Sequence, residues 1–505
     1  MKKTLIASLL LACTFSVFAG NTPKPVERSS AHDIRHLSLE KLKAMCAGDN
    51  GEACWLAGKK YANIHSKTTD HFEAQRMFKR GCELKLASSC IDLGILYERG
   101  FIEGKTNKDA MDSYIKGCEI PNTSACYVVG KAYEDGIITD KDEIKAEQYY
   151  KKSFEIANQN LNGEDKAEAL TMLGVIYLFA IGEPQDFEKA EEYFKKACDL
   201  NDAEGCANLG VMYYQAEGEF QDYDKAREYT EKACSLKYGY GCRNLGIYYF
   251  KGQAVTQDYD KAKTYYEKAC DLMEESGCAY LGFMYDNGKG VAQDYAKARE
   301  YYEMACKLND GWACRNLGLL YDNGQGVDQD YQKTKELYEK ACNLNEATGC
   351  TGLGYMYDVG EGVQIDFNKA LSYYTKACDL DEGRGCKSLG YLYENGDGVK
   401  QDYLKAKEYY EKSCGLNDSH GCVNLGALFA LGQGVEVDYK TAKTLYEKGC
   451  EMNNATGCSN LGSLYEQGQG VEQDFKEAKD YFKKSCDLGG KIGCDGFVRL
   501  NEAGY

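Results

Sequence analysis

The chain has 505 residues, more than one compact core accommodates, and its 61 basic and 79 acidic residues give a formal net charge of −18. Nucleic acids and anionic membranes bind basic surfaces, so this charge balance argues against both classes of partner. We interpret the acidic surface as one that keeps a long protein soluble.

The first residues have the pattern of an export signal. Lys2 and Lys3 form a short basic region, residues 5–18 are largely apolar, and Ala19 is a small residue suited to cleavage. We therefore predict a signal peptide over 1–19 and a secreted or periplasmic mature protein.

A second hypothesis for the N-terminus is a lipoprotein attached through Cys13, which follows Leu-Leu-Ala. The apolar residues after Cys13 disfavour it, because a lipoprotein normally turns polar there. We predict a linker over 20–36. No later stretch is apolar for long enough to form a transmembrane helix.

The cysteines follow a fixed spacing. Of the 25 cysteines, 24 form pairs separated by eight positions. An even number at constant spacing behind an export signal predicts a disulfide framework. The predicted pairs are Cys46 with Cys54, Cys82 with Cys90, Cys118 with Cys126, Cys198 with Cys206, Cys234 with Cys242, Cys270 with Cys278, Cys306 with Cys314, Cys342 with Cys350, Cys378 with Cys386, Cys414 with Cys422, Cys450 with Cys458 and Cys486 with Cys494.

Geometry places a turn inside each cysteine pair. Eight residues of continuous α-helix rise about 12 Å, whereas a disulfide needs Cα atoms within about 7 Å. Each bridge should therefore connect the end of one helix to the start of the next. Structural zinc sites use closer cysteine spacings, and the five histidines form no ligand set with them. We predict no metal and no cofactor; the histidines are His32, His36, His65, His71 and His420.

The chain repeats itself every 36 residues, as the recurring Leu-Gly pairs show. A period of this length is typical of helical repeat arrays. Counting from the second cysteine of each pair gives twelve units. The predicted organisation is a capping helix over 37–53, repeats 1–3 over 54–169, repeats 4–12 over 170–493 and a C-terminal cap over 494–505.

One unit shows how the helices are predicted. From Cys314 the core residues recur at i, i+3, i+4 and i+7, which indicates one helix face. Gly318 lies in the middle of that face and predicts a close helix crossing. Gly324 is suited to end the first helix in the left-handed conformation, and Asp330 to cap the second helix. We expect most of the 42 tyrosines to pack between helices.

Three motifs carry a family resemblance: Leu-Gly-x-x-Tyr, Gly-x-Gly-Val-x-x-Asp, and Lys-Ala-x-x-Tyr-Tyr, the last at residues 261–266. Over residues 40–505 the chain resembles the Sel1-like repeat proteins, and its cysteine pairs are similar to those of the Helicobacter cysteine-rich proteins. The resemblance implies an all-α fold, a right-handed α/α superhelical solenoid of about twelve disulfide-stapled helix-pair repeats. It also implies β-lactamase or penicillin-binding activity, which some members carry.

One repeat departs from the pattern. Phe154 and Leu170 stand where a cysteine pair is expected, and the connection between them gains eight residues, including 158–165. One interpretation is a surface insertion that a solenoid tolerates. The other is a hinge, because an unstapled and longer loop would allow three N-terminal repeats to move.

No active site is predicted. Serine β-lactamases combine Ser-x-x-Lys with Ser-Asp-Asn and Lys-Thr-Gly. The first motif occurs at Ser38-x-x-Lys41 and at Ser113-x-x-Lys116, but neither of the other two occurs in the chain. We interpret both matches as accidental, and β-lactamase activity rests on the resemblance alone.

The favoured function is a monomeric scaffold that binds a peptide or protein in a groove lined by first helices. The two residues after each second cysteine are expected to be exposed there, and their amides could bind an extended backbone or bond within the array. The alternatives are a β-lactam or peptidoglycan-derived ligand, and a structural spacer. The candidate groove residues are Asn208, Arg243, Asn244, Arg315, Asn316, Asn424 and Asn460.

Overall fold

The computed structural model describes residue 34 and residues 37–505, with gaps at 63–69, 137, 164, 182 and 216–220. Its described secondary structure consists of 26 helices, with no strand. The predicted signal peptide and nearly all of the predicted linker lie outside the described residues. The same holds for Cys13, His32, His36 and His65.

The helices form two compact units, Met1–Asp294 with α1–α14 and Tyr295–Tyr505 with α15–α26. Even-numbered helices are the first helices of the repeats and odd-numbered helices the second. In unit 1 they are α1 Leu39–Ala47, α2 Gly51–Ala62, α3 His71–Glu83, α4 Ala87–Glu98, α5 Asn107–Glu119, α6 Thr123–Asp135, α7 Glu143–Asn160, α8 Lys166–Phe179, α9 Phe187–Asp199, α10 Ala203–Gln215, α11 Tyr223–Ser235, α12 Gly239–Lys251, α13 Tyr259–Asp271 and α14 Glu275–Asn287.

In unit 2 the helices are α15 Tyr295–Lys307, α16 Gly311–Asn323, α17 Tyr331–Asn343, α18 Ala347–Val359, α19 Phe367–Asp379, α20 Gly383–Asn395, α21 Tyr403–Gly415, α22 Ser419–Leu431, α23 Tyr439–Glu451, α24 Ala455–Gln467, α25 Phe475–Asp487 and α26 Lys491–Glu502. Within each unit, every helix packs against the next one in the chain. The all-α helix-pair architecture is therefore confirmed.

Disulfides join the two cysteines of every predicted pair, with Cα atoms between 4.4 and 4.7 Å apart. Each bridge connects the last turn of a second helix to the first turn of the next first helix. Between Cys342 and Cys350, for example, Asn345 turns the chain with a φ of 60°. The expectation that each pair spans a turn is confirmed.

The second cysteine of each pair enters the core with the first helix that carries it. These cysteines are buried, apart from the last, which is partly exposed next to the C-terminus. They are Cys54, Cys90, Cys126, Cys206, Cys242, Cys278, Cys314, Cys350, Cys386, Cys422, Cys458 and Cys494. The disulfides are therefore part of the packed interior as well as covalent links between helices.

The two helices of a repeat cross closely at a glycine. A Cβ on Gly318 would lie 2.6 Å from the ring of Tyr338, and one on Gly354 would lie 2.7 Å from the ring of Tyr374. The predicted close crossing is confirmed, because the buried tyrosine ring occupies the space of the missing side chain. The predicted caps also form: Gly324 ends α16 with a φ of 65°, and Asp330 accepts the Lys333 N–H at 3.0 Å.

The other tyrosine of each Tyr-Tyr pair stacks on the tyrosine of the first helix. The rings of Tyr357 and Tyr373 are 5.9 Å apart, and the Lys369 ammonium lies 4.8 Å from the Tyr357 centroid. The same lysine–tyrosine–tyrosine arrangement recurs at Tyr393 and Tyr409. The helix motifs of the repeat thus form one packed interface.

A lysine connects consecutive second helices. The Lys340 ammonium donates to the Cys306 carbonyl oxygen at 2.7 Å, across the end of α15. Lys412 and Lys448 make the equivalent bonds to Cys378 and Cys414. Each of these carbonyls also accepts a backbone N–H from the following turn, so the lysine adds a second hydrogen bond and complements the partial negative charge of the helix end.

The repeat without cysteines differs from the expectation of a longer loop. Residues Asn158 to Asn160 continue α7, and only 161–165 connect it to α8. No glycine or proline interrupts the chain before Gly163, so the extra residues extend the helix instead. Phe154 packs edge-on against Tyr177, and apolar contacts take the place of the disulfide.

Candidate functional site: a face lined by first helices

Consecutive first helices touch one another in unit 2, from α16 to α18 and onward through α20 and α22 to α24. They form a continuous layer with one side turned away from the second helices. We call this side the first-helix face. It consists of the residues one, two, five, eight and nine positions after the second cysteine in each of these five helices; in α20 these are Lys387, Ser388, Tyr391, Glu394 and Asn395.

Large apolar side chains are exposed on the first-helix face. Tyr355 and Tyr391 are 52% and 51% exposed at equivalent positions of neighbouring repeats. Val359 is 47% exposed and Leu431 is 67% exposed at the ends of their helices. The sequence pattern does not single out these residues, because the prediction places most tyrosines between packed helices. The helical period would have found them, since they lie one or two turns beyond the candidate groove residues.

The candidate groove residues are less accessible than expected. Asn244 and Asn316 are each only 7% exposed, and the other five are partly buried. The expectation of exposed amides is therefore wrong for Asn244 and Asn316. The physical reason is that this position lies at the boundary between the face and the second helix of the preceding repeat.

Several of the candidate groove residues form hydrogen bonds with other side chains of the repeats. The Asn424 and Asn460 amides hydrogen-bond the phenols of Tyr410 and Tyr446 in the preceding second helix. The Asn316 amide oxygen accepts from Arg315 at 2.8 Å.

Three of the candidate groove residues lie in unit 1. Arg243 forms an ion pair with Glu274 at 3.4 Å and lies over the ring of Tyr240, and Asn244 follows it on the same helix. The amide nitrogen of Asn208 is buried and has no hydrogen-bond partner among the described residues. These residues occupy the same positions in their helices as the candidate groove residues of unit 2.

Phenols of the second helices donate to carboxylates of the first-helix face. The Tyr410 hydroxyl donates to Glu394 at 2.5 Å, and the Tyr374 hydroxyl donates to Asp358 at 3.2 Å. Burial raises the pKa of both phenols, and the adjacent carboxylates raise it further. At Tyr446 alanine stands at the carboxylate position, and burial raises the pKa of that phenol to about 12.

Both Ser-x-x-Lys serines have structural roles. The Ser38 hydroxyl accepts the Lys41 backbone N–H at 3.4 Å and caps α1. Ser113 is buried and donates to the Asp109 carbonyl oxygen at 2.8 Å. Within the described ranges, no three His, Cys, Asp or Glu side chains converge as metal ligands. In that same part of the chain, no helix has the length and apolar character needed to cross a membrane.

A match to a family model establishes the family to which this chain belongs. The Sel1 repeat model matches ten segments, at residues 123–155, 167–202, 203–238, 239–272, 276–310, 313–346, 347–382, 384–418, 419–454 and 455–490. The chain belongs to the Sel1 repeat family. The helix pairs before residue 123 lie outside the matched segments, although they carry disulfides of the same spacing.

Solved structures of other Sel1 proteins are similar to this chain. A protective antigen of uropathogenic Escherichia coli strains, described as displaying an SLR fold, is 27% identical; the match covers 85% of this chain and 90% of the antigen, with a TM-score of 0.53. A Sel1 repeat protein from Oxalobacter formigenes is 29% identical over 49% of this chain and 99% of that one, with a TM-score of 0.46.

Helicobacter pylori cysteine rich protein B is 41% identical to this Sel1 protein. That match covers 27% of this chain and 99% of the Helicobacter protein, with a TM-score of 0.23. Among curated protein sequences, none matches the chain.

Proposed function

We propose that this Sel1 protein is an exported scaffold that binds an extended peptide or protein segment along the first-helix face. The observation that carries the proposal is the exposure of Tyr355 and Tyr391, each about half accessible, on adjacent first helices. Aromatic residues are enriched at protein interfaces, where they bury a large area at a low cost in conformational entropy.

The spacing of the repeats suits an extended ligand. Packed helices lie about 10 Å apart, and a segment in the extended polyproline II conformation rises about 3.1 Å per residue with three residues per turn, so that every third side chain points the same way. Side chains three positions apart in a bound segment would therefore meet equivalent positions of successive repeats. Tyr355 and Tyr391 would contact two such side chains, and Leu431 a third beyond them.

Export is supported by the cysteines. Disulfides persist in oxidising compartments and are rare in the cytosol. Twelve of them, at nearly every junction between repeats, therefore support folding in such a compartment. The predicted signal peptide over 1–19 agrees with this location.

Peptide arrays test the function. Purified, oxidised full-length protein is applied to an array of extended peptides of about twelve residues, whose side chains vary at every third position. We expect a double variant with Tyr355→Ala and Tyr391→Ala to bind the selected peptides at least tenfold more weakly than the wild type. The control is Leu404→Ala, which removes an apolar side chain that is 60% exposed on the second helix α21.

Two results would contradict the proposal. One is the absence of any peptide that binds the wild-type protein in solution. The other is an equal loss of affinity in the double variant and in Leu404→Ala, since binding would then not depend on the first-helix face.

A further inference from the structure

One repeat of unit 1 lacks a tyrosine that most repeats have. In seven repeats, a tyrosine of the second helix stacks on the first-helix tyrosine sixteen positions before it, with ring centroids 5.6 to 5.9 Å apart. In the repeat of α4 and α5 the first-helix residue is Tyr97, but Ser113 stands sixteen positions later. The stacked pairs are Tyr133 with Tyr149, Tyr177 with Tyr193, Tyr213 with Tyr229, Tyr249 with Tyr265, Tyr357 with Tyr373, Tyr393 with Tyr409 and Tyr465 with Tyr481.

A cleft lies beside Ser113, between the second helices α3 and α5. Its volume is about 660 Å³, and its lining includes Leu93, Tyr97 and Ser113. The Ser113 hydroxyl donates at 2.8 Å to the Asp109 carbonyl oxygen of its own helix, so this short side chain does not fill the cleft. We call this space the α3–α5 cleft.

The cleft coincides with the position of the missing phenol ring. In the next repeat, burial raises the pKa of the Tyr149 phenol, and the nearby Tyr133 phenol and Glu119 carboxylate raise it further. The residues 36 positions before Glu119 and Tyr149 are Glu83 and Ser113, and both line the cleft. The carboxylate that lies beside the phenol in one repeat thus lies beside an open space in the other.

A lysine next to the cleft is placed to contact an aromatic ring. In α13, the Lys268 ammonium lies 4.9 Å from the ring centroid of Tyr265, three positions before it. Lys116 stands three positions after Ser113 and lines the cleft. Among the described residues, its ammonium has no ion-pair or hydrogen-bond partner.

A second lysine leaves room for a ring on Tyr97. The Lys105 ammonium lies 5.2 Å from the Tyr97 centroid. In α18 and α19, Tyr357 has the Lys369 ammonium 4.8 Å from its centroid and the Tyr373 ring at 5.9 Å at the same time. A lysine and a stacked ring can therefore contact one tyrosine together.

We propose that the α3–α5 cleft binds a phenol ring, either of a free phenolic compound or of a tyrosine side chain in a protein segment. The ring would stack on Tyr97 and contact the Lys116 ammonium, as the tyrosines of other repeats do with their neighbours. Its hydroxyl would lie near Glu83 and Lys79, which can accept and donate a hydrogen bond. This site is separate from the first-helix face and independent of the proposed function.

The lost side chain identifies the ligand. A site that lacks a side chain can bind a small molecule of similar shape, as benzene binds in an engineered apolar cavity. Here the repeats themselves show which group fits, because seven of them place a phenol in the equivalent space. The volume of the cleft is also in the range of small-molecule sites.

The test uses p-cresol, which is the tyrosine side chain as a free molecule. Purified, oxidised full-length protein is titrated and binding is followed by ligand-observed NMR. We expect millimolar affinity, as suits a ligand of few atoms. We expect 4-methylcyclohexanol, which has a similar shape but no aromatic ring, to bind about fivefold more weakly or less.

Variants locate the binding at the cleft. Ser113→Tyr supplies the ring that other repeats have and should abolish p-cresol binding, and Ser113→Leu, a partial filling, should weaken it. Ser113→Ala leaves the cleft open and should keep the wild-type affinity. The matched control is Leu337→Tyr, which introduces a tyrosine at the equivalent position of α17 and should leave binding unchanged.

A peptide distinguishes the two sources of the ring. The probe is acetyl-Ala-Ala-Tyr-Ala-Ala-amide. Tighter binding of this peptide than of p-cresol, lost in Ser113→Tyr, assigns the ring to a protein segment, whereas equal or weaker binding assigns it to a free phenolic compound.

Three results would overturn the proposal. They are no binding of p-cresol, undiminished binding in both Ser113→Tyr and Ser113→Leu, and an equal loss in Leu337→Tyr. Circular dichroism and urea unfolding show whether each variant is folded. Should Ser113→Tyr not fold, Ser113→Leu compared with Ser113→Ala decides the question.

Discussion

At the scale of single residues, the repeat depends on glycines that make room for aromatic rings. A Cβ on Gly354 would meet the buried ring of Tyr374 at 2.7 Å, and that ring has no open space to move into. By contrast, a Cβ on Gly415, at the end of α21, would meet nothing within 4 Å.

We predict that Gly354→Ala lowers the free energy of unfolding by about 1–3 kcal/mol, because an added methyl overpacks a filled interior. Gly415→Ala should raise it by up to about 1 kcal/mol, because alanine favours a helix more than glycine does. Urea unfolding of the oxidised proteins measures both changes. A Gly354→Ala variant as stable as Gly415→Ala would show that the helix crossing is not close.

Much of this detail was predictable from the repeat pattern. The close crossing at Gly318, the left-handed cap at Gly324 and the Asp330 cap all follow from residue types at fixed helical positions. The burial of Asn244 and Asn316 was not predictable, because the helical period gives a side chain's direction but not the distance to the neighbouring repeat.

At the scale of helices, three carboxyl groups of low exposure lie close together beside the repeat without cysteines, in α8, in α10 and in the turn before α10. Glu168 in α8 accepts hydrogen bonds from Asn122 and Ser124, and Asp202 accepts from Thr171. Glu204 in α10 is only 9% exposed. Burial raises the pKa of all three groups, and the charges of Asp202 and Glu168 raise that of Glu204 further.

This cluster predicts a dependence of stability on pH. A carboxyl whose pKa is higher in the folded state binds more protons there than in the unfolded chain. Its stabilising contribution is complete below the unfolded pKa of about 4.5 and is lost as the pH rises through the folded value. We expect the urea midpoint to fall as the pH rises above about 4.5.

Glu204→Gln should reduce that slope, because the amide keeps the size of the side chain but does not titrate. The capping aspartates act oppositely: backbone N–H groups lower the pKa of Asp186 and Asp222, so their contribution is lost only in more acidic solution. A slope equal in the wild type and in Glu204→Gln would show that other groups cause the pH dependence.

At the scale of the whole molecule, each disulfide should stabilise mainly the helices that pack next to it. In the chain-entropy account, a disulfide that closes a loop of this length raises the free energy of unfolding by about 2.5 kcal/mol. Repeats contact only their neighbours, so this effect should stay local. Replacing Cys378 and Cys386 by alanine should therefore speed hydrogen exchange in α19, α20 and the helices packed on them. We expect α24 and α25 to keep their protection, as measured by hydrogen–deuterium exchange and mass spectrometry.

A loss of protection spread evenly through Tyr295–Tyr505 would contradict local stapling and would indicate one cooperative unit. The division of the chain into two compact units at Asp294 was not predictable, because the 36-residue period and the cysteine pairs continue across it unchanged. The hinge at the repeat with Phe154 and Leu170 stays a prediction.

The local disulfides also determine how the chain can oxidise. Each cysteine has its partner eight residues away, whereas the next pair begins 28 residues further on, as from Cys54 to Cys82, or still further on, as from Cys126 to Cys198. Loop closure becomes less probable with about the three-halves power of length, so in the unfolded chain the native partner is favoured about sixfold over that competitor. Oxidation can therefore proceed in order along the emerging chain, and a protein with 24 paired cysteines needs little correction of mispaired thiols.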